Sequence, residues 1–127
     1  MIQNSKLVRR DSKPVYDLEE RTFQFAKNVR VFVKKLPITT ANIEDGKQVI
    51  RSLASTGANY IEANESFSKK DFIFRIKICR KESKESAFFL RLIKETNPVE
   101  FEDDATILFN EANELKKIFS SIAEKSK

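Results

Sequence analysis

One uninterrupted stretch constrains this chain more than any other. Ser68 to Thr96 reads SKKDFIFRIKICRKESKESAFFLRLIKET, contains neither Gly nor Pro, and spaces its apolar residues for a helix rather than a strand. At about 100° per residue, Phe72, Ile76, Cys79, Ser83, Ser86, Leu90 and Ile93 form one stripe with alternating steps of four and three. A second stripe, Phe74, Ile78, Lys81, Glu85, Phe88 and Leu92, lies opposite. A helix that is apolar on two faces has more to bury than one small bundle provides, so the second face is expected to meet another subunit. The helix has a strong start: Ser68 as N-cap, Asp71 at N3, and Phe67 with Phe72 at the staple positions. Asn97-Pro98 ends it, because a residue before Pro is pushed out of the helical region.

Three further segments share this periodicity. The first helix is expected from Tyr16 or Asp17 to Leu36, with Leu18, Phe25, Val29, Phe32 and Leu36 inward and Thr22, Ala26 and Val33 widening that face. Acids at its start and Lys34-Lys35 at its end suit the helix dipole, and Pro37 stops it. The second is expected from about Ile43 to Glu65, capped by Thr40 or Asn42, with Ile43, Ile50, Leu53, Gly57, Ile61 and Asn64 inward. Mid-helix Gly57 costs about 1 kcal/mol relative to Ala, and the close approach of a neighbouring helix would account for it. The fourth is expected from Glu102 or Asp103 to Glu124, with Leu108, Ala112, Leu115, Phe119 and Ile122 inward. Joined by short connections, these segments predict an all-α, antiparallel up-down-up-down four-helix bundle over residues 16–124. Residues 1–15 are expected to form a flexible basic arm and 125–127 a frayed end.

Composition removes most other classes. With two Gly and three Pro in 127 residues, the chain is short of the turn residues that an all-β fold needs. The longest uncharged run, Ser52 to Ile61, is far below a bilayer span, so no membrane partner is expected. Met1 to Pro14 lacks the apolar core of a secretory signal, and a lone cysteine, Cys79, falls on the core stripe. A cytoplasmic protein with a buried reduced thiol is the reading. Histidine is absent, so no Ser-His or Cys-His pair can be built. Glu62/Glu65 and Glu82/Glu85 stand three apart, but di-iron bundles need Glu-x-x-His. No phosphate-binding Gly-rich loop occurs. The expectation is a non-enzyme with no cofactor and no metal.

From Gln48 onward the residues become specific. Gln48-Val49-Ile50-Arg51-Ser52, Ser55-Thr56-Gly57-Ala58-Asn59-Tyr60-Ile61-Glu62-Ala63, Ser68-x-x-Asp71-Phe72, Lys81-Glu82-Ser83-Lys84-Glu85-Ser86 and Phe88-Phe89-Leu90 stand in that order. Together with Asp17-Leu18-Glu19-Glu20-Arg21-Thr22 and Phe25-Ala26 upstream, this resembles the four-helix-bundle proteins encoded in intervening sequences of bacterial 23S rRNA genes. The resemblance covers about Tyr16 to Ile93. Ser83 stands where Ala is usual, and Phe89 where Trp is frequent. It implies an antiparallel bundle that assembles into a homopentameric ring. The family's biochemical role is largely unassigned. Related bundles serve diversity-generating retroelements as basic accessory proteins that bind nucleic acid and the reverse transcriptase.

Charge supplies the functional candidates. The net charge is +5, and the window Lys69–Lys84 alone holds seven Lys/Arg against Asp71 and Glu82. Lys77, Arg80, Lys84 and Arg91 share one side of the third helix, and Lys27, Arg30 and Lys34 one side of the first. These seven residues are the candidate contacts to RNA or DNA, and a ring would multiply them. A scaffold that engages a protein partner without nucleic acid is the alternative. Phe74, Ile78, Lys81, Glu85, Phe88 and Leu92 are the candidate subunit interface. Within it, Lys81 and Glu85 are spaced to pair, either buried or exposed, with Asn59 and Glu62 completing a polar network.

Overall fold

The computed structural model describes residues 17–127. The expected basic arm therefore lies outside the described residues. Within them the chain is all-α, with no strand: α1 Leu18–Lys35, α2 Thr40–Asn64, α3 Lys69–Thr96 and α4 Glu102–Lys125, plus a short 3-10 turn, Val99–Phe101, before α4. The helix ends follow local chemistry. Thr39, rather than Thr40 or Asn42, caps α2, its hydroxyl accepting from the Asn42 amide. Ser68 caps α3 as expected, its hydroxyl accepting from the Asp71 amide at 3.0 Å. The expected staple is missing: Phe67 is fully exposed, at 104%.

One core runs through all four helices. Leu18, Phe25, Val29 and Phe32 of α1 meet Ile76, Leu90 and Ile93 of α3 and Leu108, Leu115 and Phe119 of α4 in a single buried cluster. Each such side chain contributes about 1.5–3 kcal/mol by leaving water. The first stripe of α3 is inward as expected, with Phe72 half-buried and the other six members fully enclosed.

The inward face of α2 differs from the expected one. Asn42, Gly46, Val49, Leu53, Thr56, Tyr60 and Ala63 face the core, while Ile43 and Ile61 are about half exposed. The helix is turned by roughly one residue because its small and polar side chains have assigned partners. Ser52 Oγ meets Ser86 Oγ at 2.8 Å, and the Cys79 thiol donates to the Thr56 carbonyl at 3.4 Å. Tyr60 stacks obliquely on Phe119, ring centroids 5.7 Å apart. The close approach attributed to Gly57 belongs to Gly46. A Cβ on Gly46 would fall 2.8 Å from a Val33 methyl, whereas one on Gly57 would touch only Thr22 at 3.5 Å.

Polar clamps fix how the helices meet. The Asn64 amide donates to Glu19 at 2.8 Å, joining the end of α2 to the start of α1. Asn42 and Asn97 exchange amide hydrogen bonds of 2.7 and 2.9 Å, tying the start of α2 to the end of α3. Between α1 and α4, Arg21 holds Glu111 with two bonds of 2.8 and 2.9 Å and reaches Glu114 at 3.2 Å. Bidentate pairing of this kind adds direction as well as energy.

Candidate nucleic-acid interface and subunit face

The outer side of α3 carries both sets of candidate residues. Its second stripe stays outside the core: Phe74 and Phe88 are each 58% exposed, Leu92 is 38% exposed, and Ile78 is partly covered. Phe88 packs edge-on against Phe89, centroids 5.2 Å apart, and Phe89 in turn leans on the core. Exposed Phe and Leu in one row are what a subunit or partner surface requires.

The charged middle of that stripe is built differently from the expectation. Lys81 is exposed, and Glu85 takes Arg51 of α2 as its partner instead. Arg51 also approaches buried Glu82 at 3.6 Å. Ser55 Oγ donates to Glu82 at 3.4 Å, Asn59 donates to Ser55 Oγ at 3.1 Å, and Arg75 donates to Asn59 at 2.9 Å. The network thus runs Arg51, Ser55 and Asn59 against Glu85, Glu82 and Arg75, and exposed Glu62 takes no part in it. Sequence spacing favoured Lys81–Glu85 because it sees only i, i+4 neighbours on one helix. The longer Arg51 side chain crosses from the adjacent helix, and its fork serves two carboxylates at once. That Glu82 would be buried was signalled only by its place beside Ser83 and Ser86 on the core side.

The cationic candidates divide between two corners of the molecule. Lys27, Arg30 and Lys34 are all exposed along α1, as are Lys77, Lys84 and Arg91 along α3, while Arg80 is half-buried. α1 and α3 are each flanked by α2 and α4, so the two rows do not merge into one stripe. Arg91 is occupied by Glu95 at 3.2 Å, and Arg30 donates to the Ala26 carbonyl at 3.1 Å. Among the described residues, no carboxylate pairs with Lys27, Lys34, Lys77 or Lys84.

Reactive groups are few. Burial pushes the Cys79 thiol up to about 12, so it stays protonated at any physiological pH. Among the described residues, no group of three or more His, Cys, Asp or Glu could hold a metal ion. Nor is any helix there long and apolar enough to cross a membrane.

The sequence profile of the 23S rRNA-intervening sequence protein family matches residues 16–121. The chain belongs to this family. A solved structure described as a protein with unknown function from the S23 ribosomal protein family of Bacteroides thetaiotaomicron VPI-5482 superposes with a TM-score of 0.67. It is 27% identical, and the match covers 83% of this chain and 96% of that one. Comparison with curated proteins finds no match. Family membership agrees with the ordered blocks from Asp17 to Leu90 and carries no reaction with it.

Proposed function

We propose that this family member is a non-enzymatic, homo-oligomeric bundle of up-down-up-down, antiparallel topology that binds RNA or DNA in the cytoplasm. Topologically, the reading is supported by two clamps, Asn64 to Glu19 joining the end of α2 to the start of α1, and Asn97 to Asn42 joining the end of α3 to the start of α2. The observation that carries the binding function is the division of the charges. The acids of the helix interfaces, Glu82, Glu85, Glu111 and Glu114, are engaged by Arg51 and Arg21. Lys27, Lys34, Lys77 and Lys84 are left exposed and, among the described residues, without a carboxylate partner. A polyanion neutralises such lysines with release of its counterions, and symmetric copies convert weak contacts into an avid one. Phe88 and Leu92 form the subunit face, and Phe74 and Ile78 of the same stripe lie on the far side of exposed Lys81. The pentameric ring size comes from the family resemblance.

Fluorescence anisotropy of a labelled RNA at increasing salt tests the binding. Affinity is expected to fall linearly on a log-log plot, and Lys27→Glu with Lys84→Glu should lower both affinity and slope without loss of helicity. A wild-type protein that binds neither RNA nor DNA at low salt would establish the scaffold reading instead. For assembly, Phe88→Glu with Leu92→Glu should sediment as smaller species. A wild type that is monomeric at micromolar concentration refutes the interface.

A further inference from the structure

At the Lys69 end of α3, beside Lys127 just past α4, lies an open groove of about 620 Å³ lined by Lys69, Lys70, Ile73, Phe74, Lys77 and Lys127. Its floor is apolar and its rim is entirely cationic. Among the described residues, Lys69, Lys70 and Lys77 have no carboxylate partner, and no acid lines the groove. Lys127 reaches back to Glu124 at 2.9 Å. The hydrogen bond and charge of Lys127, with smaller contributions from Arg80 and Lys77, hold the Glu124 carboxyl below its ordinary value, so this acid lies near the cationic rim without lining the groove.

Resting on the nucleic-acid reading above, we propose that this groove docks single-stranded nucleic acid: Phe74 and Ile73 receive an unstacked base, and Lys69, Lys70, Lys77 and Lys127 hold the phosphates around it. Two features select this occupant. A duplex keeps its bases stacked and offers only its phosphates, leaving the exposed Phe74 ring unused, whereas every base of a single strand has a face to stack. An amphipathic acidic helix would need apolar anchors spaced over two turns. The floor supplies only Ile73 and Phe74, which are adjacent in sequence. The groove is also separate from the Phe88–Leu92 end of the same helix, so one helix serves strand and subunit at different turns.

Fluorescence polarisation of the intact protein with a labelled single-stranded oligonucleotide, its duplex of equal length, and a labelled poly-glutamate peptide tests the site. Wild type should prefer the single strand. Phe74→Ala and Phe74→Leu should each weaken single-strand binding by about five-fold or more and leave duplex binding, helicity and sedimentation unchanged. Phe74→Tyr, which keeps the ring, should retain binding. Lys70→Ala with Lys77→Ala should reduce the log-log salt slope by about 2. The groove assignment falls if Phe74→Ala binds the single strand like wild type, if poly-glutamate binds more tightly than the oligonucleotide, or if Phe74→Ala alters the assembly, which would place Phe74 in the subunit interface. Loss of binding in Lys27→Glu/Lys84→Glu without loss in Phe74→Ala would overturn the groove and keep the general nucleic-acid function. Absence of any nucleic-acid binding by wild type would remove both.

Discussion

Two serines one turn apart on α3 should respond to the same mutation with opposite signs. Ser83 and Ser86 are both fully buried. Ser86 Oγ meets Ser52 Oγ of α2 at 2.8 Å and donates to the Glu82 carbonyl at 2.9 Å, whereas Ser83 Oγ has no hydrogen-bond partner. An unsatisfied buried hydroxyl costs about 1–3 kcal/mol, and Ala is a better helix former than Ser by up to about 0.7 kcal/mol. Against this, Ser83→Ala removes the dispersion contacts of one oxygen atom and leaves a void smaller than a methyl group. The net expectation is stabilisation by about 1 kcal/mol, a rise of about 0.5 M in urea midpoint for a domain of this size. Ser86→Ala, which breaks the bond between α2 and α3, should cost about 1 kcal/mol. Urea unfolding followed by circular dichroism, with unchanged m-values, measures both. If Ser83→Ala destabilises as much as Ser86→Ala, the Ser83 hydroxyl is satisfied and the α2–α3 contact has been misread.

The glycines supply a second matched pair: Gly57→Ala should stabilise by up to about 1 kcal/mol, because its Cβ meets only Thr22 at 3.5 Å. Gly46→Ala should destabilise, because its Cβ would lie 2.8 Å from a Val33 methyl, and Val33→Ala in the same chain should recover most of the loss in thermal unfolding. Leu90→Ala, at a fully buried position, should cost about 2–5 kcal/mol in denaturant unfolding; a change within error would refute the assigned core stripe. Because burial raises the Cys79 thiol from 9.0 to about 12, its contribution to stability is intact below pH 9 and is lost as pH rises from 9 towards 12. Removing the thiol with Cys79→Ala should therefore flatten the alkaline limb of the stability profile, and thiol-specific reagents should label native wild type only as fast as it unfolds.

How much of this was legible in the sequence depended on whether the signal was periodic or pairwise. The four helices and the inward stripes of α1, α3 and α4 follow from apolar residues repeating every three or four positions, and the structure bears them out from Leu18 to Phe119. On α2 the same rule selected Ile43 and Ile61, which are half exposed, over Asn42, Thr56 and Tyr60, which are buried. Apolarity is a poor guide where helices approach through Gly46, Ser52 and Thr56, because the contact there is made by small size and by hydrogen bonds whose partners lie on another helix. Pairwise chemistry within a helix, such as Lys81 with Glu85, could be anticipated but was outcompeted by Arg51 from across the interface.

That replacement bears on assembly. With Glu82 and Glu85 held by Arg51, and with Lys81 left exposed, the middle of the outer α3 stripe is a positive charge standing between apolar turns. Stripe continuity alone would extend one interface from Phe74 to Leu92. An interface covering all of it would have to bury Lys81 without an acid from its own subunit, at a cost of several kcal/mol unless a neighbour supplied one. Two shorter surfaces, a cationic one around Phe74 and an apolar one around Phe88 and Leu92, avoid that cost and leave Lys81 in water between them.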